Sequence, residues 1–476
     1  MVCIEQGSGK QVLEPLNPKQ QQEARRWLQL GVLALAIAGL FAILLVLSRA
    51  PGMEAFFPWI DFFRTALVVH VDQSVLIWFL AMAGIIWTLA GVPPIPVAWR
   101  RTALGVSLAG TLGIALAAFI GEGAPLMNNY VPVLQRPLFF FSLGLVAVGV
   151  VLRLGLLLVR MRPAHLSADQ VGMINVVALT VAVACAVAVG ALVYTWFYLP
   201  AALDGVAYYE YLFWGAGHVL QFAYTQMLLL AWLLLLAASG VRMPLSPRLL
   251  NGLLLLGLLP ILWTFVIYLN HEPVSAGMRI GFTRLMQYGG AIPAVPVGLL
   301  VLYGLIRNRQ RTTPAQRPLR LALWFSLLLF ASGGLLAMLI QGVNTVIPAH
   351  YHGSIVGVTL ALMGFAYLLL PALGYARVEG RLATAQPIVY GVGQLLHIAG
   401  LAFSGFLGIQ RKTAGAAQGL DSLQAKLAMG VMGIGGLLAV IGGILFVWIM
   451  LRAFWGGPDR HRARGQASSP GISSTR

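Results

Sequence analysis

Two histidines, His350 and His352, flank Tyr351 at the start of an apolar run that reaches Pro371. On an α-helix, residues two apart point about 200° away from one another. The two imidazoles therefore face opposite sides and cannot share a ligand, but together they can hold two different groups side by side. A polar ring in hydrocarbon is costly unless something satisfies it. The whole chain has only 8 histidines.

The elements that must position these rings follow from composition. The chain has 476 residues, 59% hydrophobic and 9% charged, with a mean hydropathy of +0.85; a soluble protein carries about 25% charged residues. This is an all-α polytopic membrane protein. Twelve spans can be read, each near the roughly 20 residues that the bilayer core requires: 27–49, 66–91, 102–121, 137–159, 171–197, 210–237, 249–271, 282–306, 319–342, 349–372, 387–407 and 428–452. Residues 1–26 read as a polar tail with no cleavable leader, 27–452 as the membrane domain, and 453–476 as a disordered tail.

The net charge of +17 invites a nucleic-acid reading, and its distribution argues against one. An even number of spans puts both termini on one side. That side carries 23 of the 31 Lys and Arg residues, so both termini are expected in the cytoplasm, with some attraction to anionic lipid. No basic groove interleaved with aromatics is present. Cys3 and Cys185 are too few for a disulfide framework or a cysteine-rich metal site, and no CxxCH haem-attachment motif occurs.

Topology converts position into depth. His70 lies about one turn into the second span, and His218 about two turns into the sixth. His271 and Glu272 end the seventh, and His350 and His352 open the tenth. Five histidines and one carboxylate, from four spans, thus share the outer third of the membrane. A lone histidine in a membrane is usually a packing residue; five at one level point to a metal or haem site. Most acidic residues fall in tails or loops, with Asp72 and Glu272 as the intramembrane candidates and Glu210 at a span edge. No span contains a lysine, so a proton channel built on one is absent.

At this point the chain resembles subunit I of the haem–copper oxidase superfamily, which includes cytochrome oxidases and nitric oxide reductases. The likeness covers all twelve spans. The family's helix X carries HxH, here His350-Tyr351-His352. Its helix VI carries LFWxxGH, reproduced by Leu212 to His218. Its helix VII carries HHxxxxGM, matched by His271 to Met278 with Glu272 in place of the second histidine. The loop after helix XI carries FLGMPRR, here Phe406 to Lys412 with three changes, at Ile409, Gln410 and Lys412. The resemblance implies that His70 and His352 are axial ligands of a low-spin haem and that His350 is the proximal ligand of a high-spin haem with an open face. It also implies that Arg411 and Lys412 pair with haem propionates; an ordinary loop charge is the alternative. His218, His271 and Glu272 would hold a non-haem metal opposite His350.

Two departures bear on the substrate. A carboxylate is a harder donor than imidazole and shifts preference from copper towards iron. Phe222 stands where some oxygen reductases carry a tyrosine four residues after the helix VI histidine; Tyr268, one turn before His271, is an alternative source. Reducing two NO to N₂O takes two electrons and two protons, and no such tyrosine. The expected activity is therefore nitric oxide reduction by two haems, b-type as the simpler choice, and a non-haem metal, iron before copper. Terminal oxygen reduction is the close alternative, and a non-catalytic haem-binding transporter or sensor the one from another class. Electrons would come from a partner subunit, a soluble cytochrome c or quinol, and a bacterial-type inner membrane is the expected site. Asp72 faces away from the haem of His70 and suits a contact with a neighbouring helix. His397 reads as a deeper, structural histidine. Gln221, Tyr224 and Gln226 suit either a proton path or polar packing, and His165 and His461 receive no role.

Overall fold

The computed structural model describes residues 16–47, 62–90, 95–162, 170–241, 243, 245–308, 311–411 and 422–456. His165, Lys412, His461 and most of the two expected tails lie outside these residues. The chain forms fifteen named α-helices among the described residues, in membrane-length segments that follow the order of the twelve expected spans. The first segment is α1 (Pro18–Leu47). The second is α2 (Phe62–Val71), which runs through a π-helical turn (Asp72–Ile77) into α3 (Trp78–Leu89). Next come α4 (Val97–Leu116), a two-stranded antiparallel hairpin of β1 (Pro125–Leu126) and β2 (Val133–Leu134), α5 (Pro137–Leu158), α6 (Gln170–Tyr198) and α7 (Gly205–Ala238). The rest are α8 (Pro247–Leu255), α9 (Leu258–Asn270), α10 (Ala276–Gly289), α11 (Ala291–Arg307), α12 (Arg317–Ala337), α13 (Val346–Leu369), α14 (Arg381–Phe406) and α15 (Leu423–Trp455).

Eleven segments are long and apolar enough to cross a membrane. The twelfth, α4, has 20 helical residues, but Arg100 and Arg101 near its start lower its mean hydropathy. Two expected spans are broken helices. The seventh divides at Leu256–Gly257, where the Gln226 side chain lies against Gly257 and leaves no room for a Cβ. The eighth begins at Ala276, earlier than expected, and divides at Gly290, just before Pro293 and Pro296. In membranes such breaks persist where neighbouring helices satisfy the freed backbone.

The first helix also starts earlier than expected. Asn17 caps it, its Oδ1 accepting the Gln20 N–H at 3.0 Å, and Pro18 suits a first helical turn. Pro18–Arg26, expected as part of a tail, pack on the bundle instead. Gln21 donates to Ala372 O at 3.1 Å and Arg25 to Leu373 O at 2.5 Å. Arg25 also lies 5.4 Å from the centre of the Tyr375 ring, which is itself 5.4 Å from Phe454. The start of α1 and the end of α15 therefore share one face of the bundle.

Burial ranks the helices. The most apolar windows of α7 and α13 are 83% and 78% buried, against 33% for α12 and α15, so the helices carrying His218 and His350/His352 are the inner ones. Outer helices present apolar side chains as a lipid-facing surface, and Trp196, Phe197 and Tyr198 at the end of α6 are exposed as an interfacial aromatic cluster. Backbones close up where side chains vanish. A Cβ on Gly353 of α13 would stand 2.7 Å from Gly333 Cα of α12. Substituting Gly353→Ala is expected to push the two helices apart at a cost of about 1–3 kcal/mol, and to disturb whatever His350 holds. Apparent melting temperature and visible spectrum check this; an unchanged pair of readings would show that the crossing tolerates a methyl group.

Candidate haem-binding site

Four histidines in the bundle are held in the same way. His70 Nδ1 meets Ala38 O of α1 at 2.8 Å, and His350 Nδ1 meets Gly333 O of α12 at 2.8 Å. His352 Nδ1 meets Pro348 O, one turn back on its own helix, at 2.9 Å, and His397 Nδ1 meets Met432 O of α15 at 2.9 Å. A carbonyl only accepts, so each Nδ1 carries the proton and each neutral ring presents a lone pair on Nε2. This is how protein imidazoles are set when Nε2 binds a metal: the second nitrogen fixes tautomer and ring orientation.

The expected divergence of His350 and His352 is realised. His350 reaches α12 on one side of α13. His352 points to α14, where its ring lies 5.1 Å from that of His397. The close Gly333–Gly353 crossing is what brings Gly333 O within reach of His350. His70 ends α2, and the π-helical turn begins two residues later; such insertions locally rewind a helix and cluster at functional sites. His397 was expected deeper in the membrane than the others. It has a backbone hydrogen bond, as a structural histidine would, but its ring also lies beside that of His352.

His218 differs. Its Nδ1 meets Trp214 O at 2.7 Å, and its Nε2 is 2.8 Å from the Tyr130 hydroxyl. Tyr130 comes from the loop between α4 and α5, and no sequence feature pointed to this placement. Asn128 Oδ1 accepts the N–H groups of Tyr130 and Val131 at 3.1 and 3.0 Å, an Asx turn that fixes the loop. Asn129 donates its backbone N–H to Glu210 Oε2 at 3.0 Å and its side-chain amide to Glu210 Oε1. Arg411 donates to Asn129 Oδ1 at 3.3 Å. Trp214 and Phe282 flank His218, with ring centres 4.9 and 5.7 Å away, and Arg279 lies 4.6 Å above Trp214. Burial first, and then the Glu210 carboxylate, push the Tyr130 phenol well above its ordinary value, so it stays a neutral hydrogen-bond donor through physiological pH. An asparagine pair ahead of a tyrosine in the loop between α4 and α5 was the available signal; it has no periodicity and names no partner.

His271 and Glu272 are both exposed. Helix α9 stops at Asn270, His271 is extended (φ −141°, ψ 134°), and Glu272 O accepts from Ser275 in the turn that starts α10. Pro273 explains the stop: it disfavours helical geometry at Glu272 and supplies no N–H. Among the described residues no group of three His, Cys, Asp or Glu side chains stands close enough to hold a metal ion. The expected set of His218, His271 and Glu272 is therefore not gathered, and the family's second metal does not fit the residues as placed. For the haems the residues do fit, since His70, His350 and His352 present Nε2 from fixed rings.

Gln226, Tyr224, Asp72 and Tyr268 have these surroundings. Gln226 accepts from Thr180 at 3.4 Å, and Tyr224 packs on Phe79 with ring centres 4.4 Å apart. Asp72 is buried, and neither of its carboxylate oxygens has a hydrogen-bond partner, so it makes no hydrogen bond to a neighbouring helix. Tyr268 meets Thr195 Oγ1 at 3.1 Å and lies against Gly215, three residues before His218.

Comparison with known proteins places these features. Residues 24–450 match the family model described as Cytochrome C and Quinol oxidase polypeptide I. An uncharacterized protein of Rickettsia prowazekii is 30% identical over 90% of this chain and 94% of its own length. An uncharacterized protein of Aquifex aeolicus is 30% identical over 75% of this chain and 86% of its own. Among solved structures, a heme-copper terminal oxidase dimer determined by cryo-EM superposes with a TM-score of 0.63 at 16% identity, covering 97% of this chain and 86% of that one. At that identity the superposition speaks for the fold.

Proposed function

Because the chain belongs to the cytochrome c and quinol oxidase polypeptide I family, whose members are multi-pass, haem-dependent respiratory oxidoreductases, we propose that it reduces a small gas at a high-spin haem fed by a low-spin haem. His70 and His352 are assigned to the low-spin haem and His350 to the high-spin haem. The observation that carries this is the common setting of the three rings, with Nδ1 on a backbone carbonyl and Nε2 presented, and with His350 and His352 facing opposite ways. When bound, the haems supply electron transfer and one open coordination position for a diatomic ligand.

The chain's own residues do the rest. The carbonyls of Ala38, Pro348 and Gly333 hold the ring planes and raise imidazole basicity. Arg411, at the outer end of the bundle, offers a cation to carboxylates of a haem near that face, and Lys412 is assigned the same role. The basic face is assigned to the cytoplasm and the chain to a bacterial-type inner membrane. Residues 27–452 form the haem-binding domain, and the flanking residues are assigned as tails outside Pro18–Arg26. Electrons arrive from a partner subunit, a soluble cytochrome c or quinol, since the chain has no CxxCH motif.

Nitric oxide is the preferred substrate. The support is Phe222, buried where oxygen reductases with this helix VI pattern carry a tyrosine. The exposed Glu272 lends no weight to this choice or to iron at a second site. Oxygen is kept as a second reading by Tyr268, which lies beside α7 three residues from the level of His218. Turnover of the purified complex with NO and with O₂, under one electron donor, separates them. N₂O formation with little O₂ consumption is expected; O₂ consumption without N₂O formation would overturn the substrate assignment.

A further inference from the structure

The lone pair that a second metal would need on His218 is already engaged. Trp214 O accepts from Nδ1, so in the neutral ring Nε2 is the acceptor, and the Tyr130 hydroxyl donates to it at 2.8 Å. This contact is built in. The Tyr130 ring fills the space beside Gly217, where a Cβ would overlap it, and its ring centre is 5.8 Å from that of Trp214. The turn that carries it is fixed by Asn128, and the next residue back is tied to Glu210 and Arg411. To clear Nε2, this part of the outer loop must withdraw. Even then the donors would not suffice, because among the described residues no group of three His, Cys, Asp or Glu side chains stands close enough to hold a metal ion. Stable sites for Fe, Cu or Zn take three or four protein donors.

We propose that the Tyr130 phenol stands where the family's second metal ligand sphere begins, hydrogen-bonded to His218, and that this subunit carries no stoichiometric non-haem metal. The inference rests on the haem assignment for its setting, but its evidence is separate, since it concerns His218, Tyr130, His271 and Glu272 alone. It implies that His218 offers a hydrogen-bonded phenol–imidazole pair where a metal ligand was expected.

The test is elemental analysis of the full chain, purified without chelator from cells grown with added copper and iron, beside a haem assay on the same sample. Copper, zinc, manganese and iron in excess of haem should each fall below about a tenth of an equivalent per chain. His218→Ala should leave those values unchanged. A full equivalent of any one of them in the wild-type chain overturns the proposal, whether or not His218→Ala removes it. Absence of haem in the same sample would instead count against the haem assignment, so the two failures are read from different numbers.

Discussion

Replacing His352 with alanine should leave the protein with one haem instead of two, and the haem lost should be the low-spin one. His70→Ala should do the same, because a low-spin haem needs both axial imidazoles. His350→Ala should remove the other haem and spare this one. The pattern follows from where the rings are anchored: His352 to its own helix, His70 to α1 and His350 to α12. Loss of a partner that merely orients a metal ligand costs about 10–100-fold in metal affinity or activity, so loss of the ligand itself should exceed that in turnover. His397 gives the sharper control. Its ring is 5.1 Å from that of His352, too close for an iron to lie between two facing imidazoles, so it packs beside the ligand. His397→Ala should keep both haems. If His397→Ala abolishes the low-spin spectrum while His70→Ala keeps it, the axial pair has been misassigned.

Glu23→Ala is expected to give the largest loss of stability among single substitutions on the basic face. Glu23 of α1 accepts from Arg153 of α5 at 2.9 Å and from Arg100 of α4 at 3.2 Å. Arg153 is almost fully buried and also donates to Thr88 of α3 at 3.4 Å. One carboxylate thus holds two guanidinium groups from different helices. Removing it leaves a buried cation without its counter-charge, which costs about 3–5 kcal/mol. Arg100→Ala leaves the Glu23–Arg153 pair intact and should cost less. Apparent melting temperatures in one detergent would rank the two variants, and equal shifts would show that Glu23 is not the centre of the network.

The same residues show what a sequence can and cannot reveal about this fold. The spans were legible because each needs some twenty apolar residues, and their order fixed the level of His70, His218, His350 and His352. The first turns of α1 were not, because Gln21, Glu23 and Arg25 look like a tail until Ala372, Leu373 and Arg153 supply their partners. At the break in the seventh span, Gly257 makes room for a side chain from another helix, Gln226. At the site, the opposite facing of His350 and His352 was a matter of helical geometry alone. The metal set failed for two local reasons. Pro273 ends α9 and leaves His271 and Glu272 in an exposed turn, with the His271 ring against Gly277, and Tyr130 reaches His218 from a loop whose course depends on Asn128, Asn129 and Glu210. Depth placed the residues at one level; it could not say which of them point inward.

The central claim is that this bundle holds two haems on three histidines. The direct measurement is haem per polypeptide in the purified chain, taken with a reduced-minus-oxidised spectrum before and after carbon monoxide. Two haems per chain are expected, one low-spin and unaffected by carbon monoxide, the other shifted by it. A preparation of folded protein with no haem, or with a single haem that His350→Ala and His352→Ala each abolish, would contradict the account.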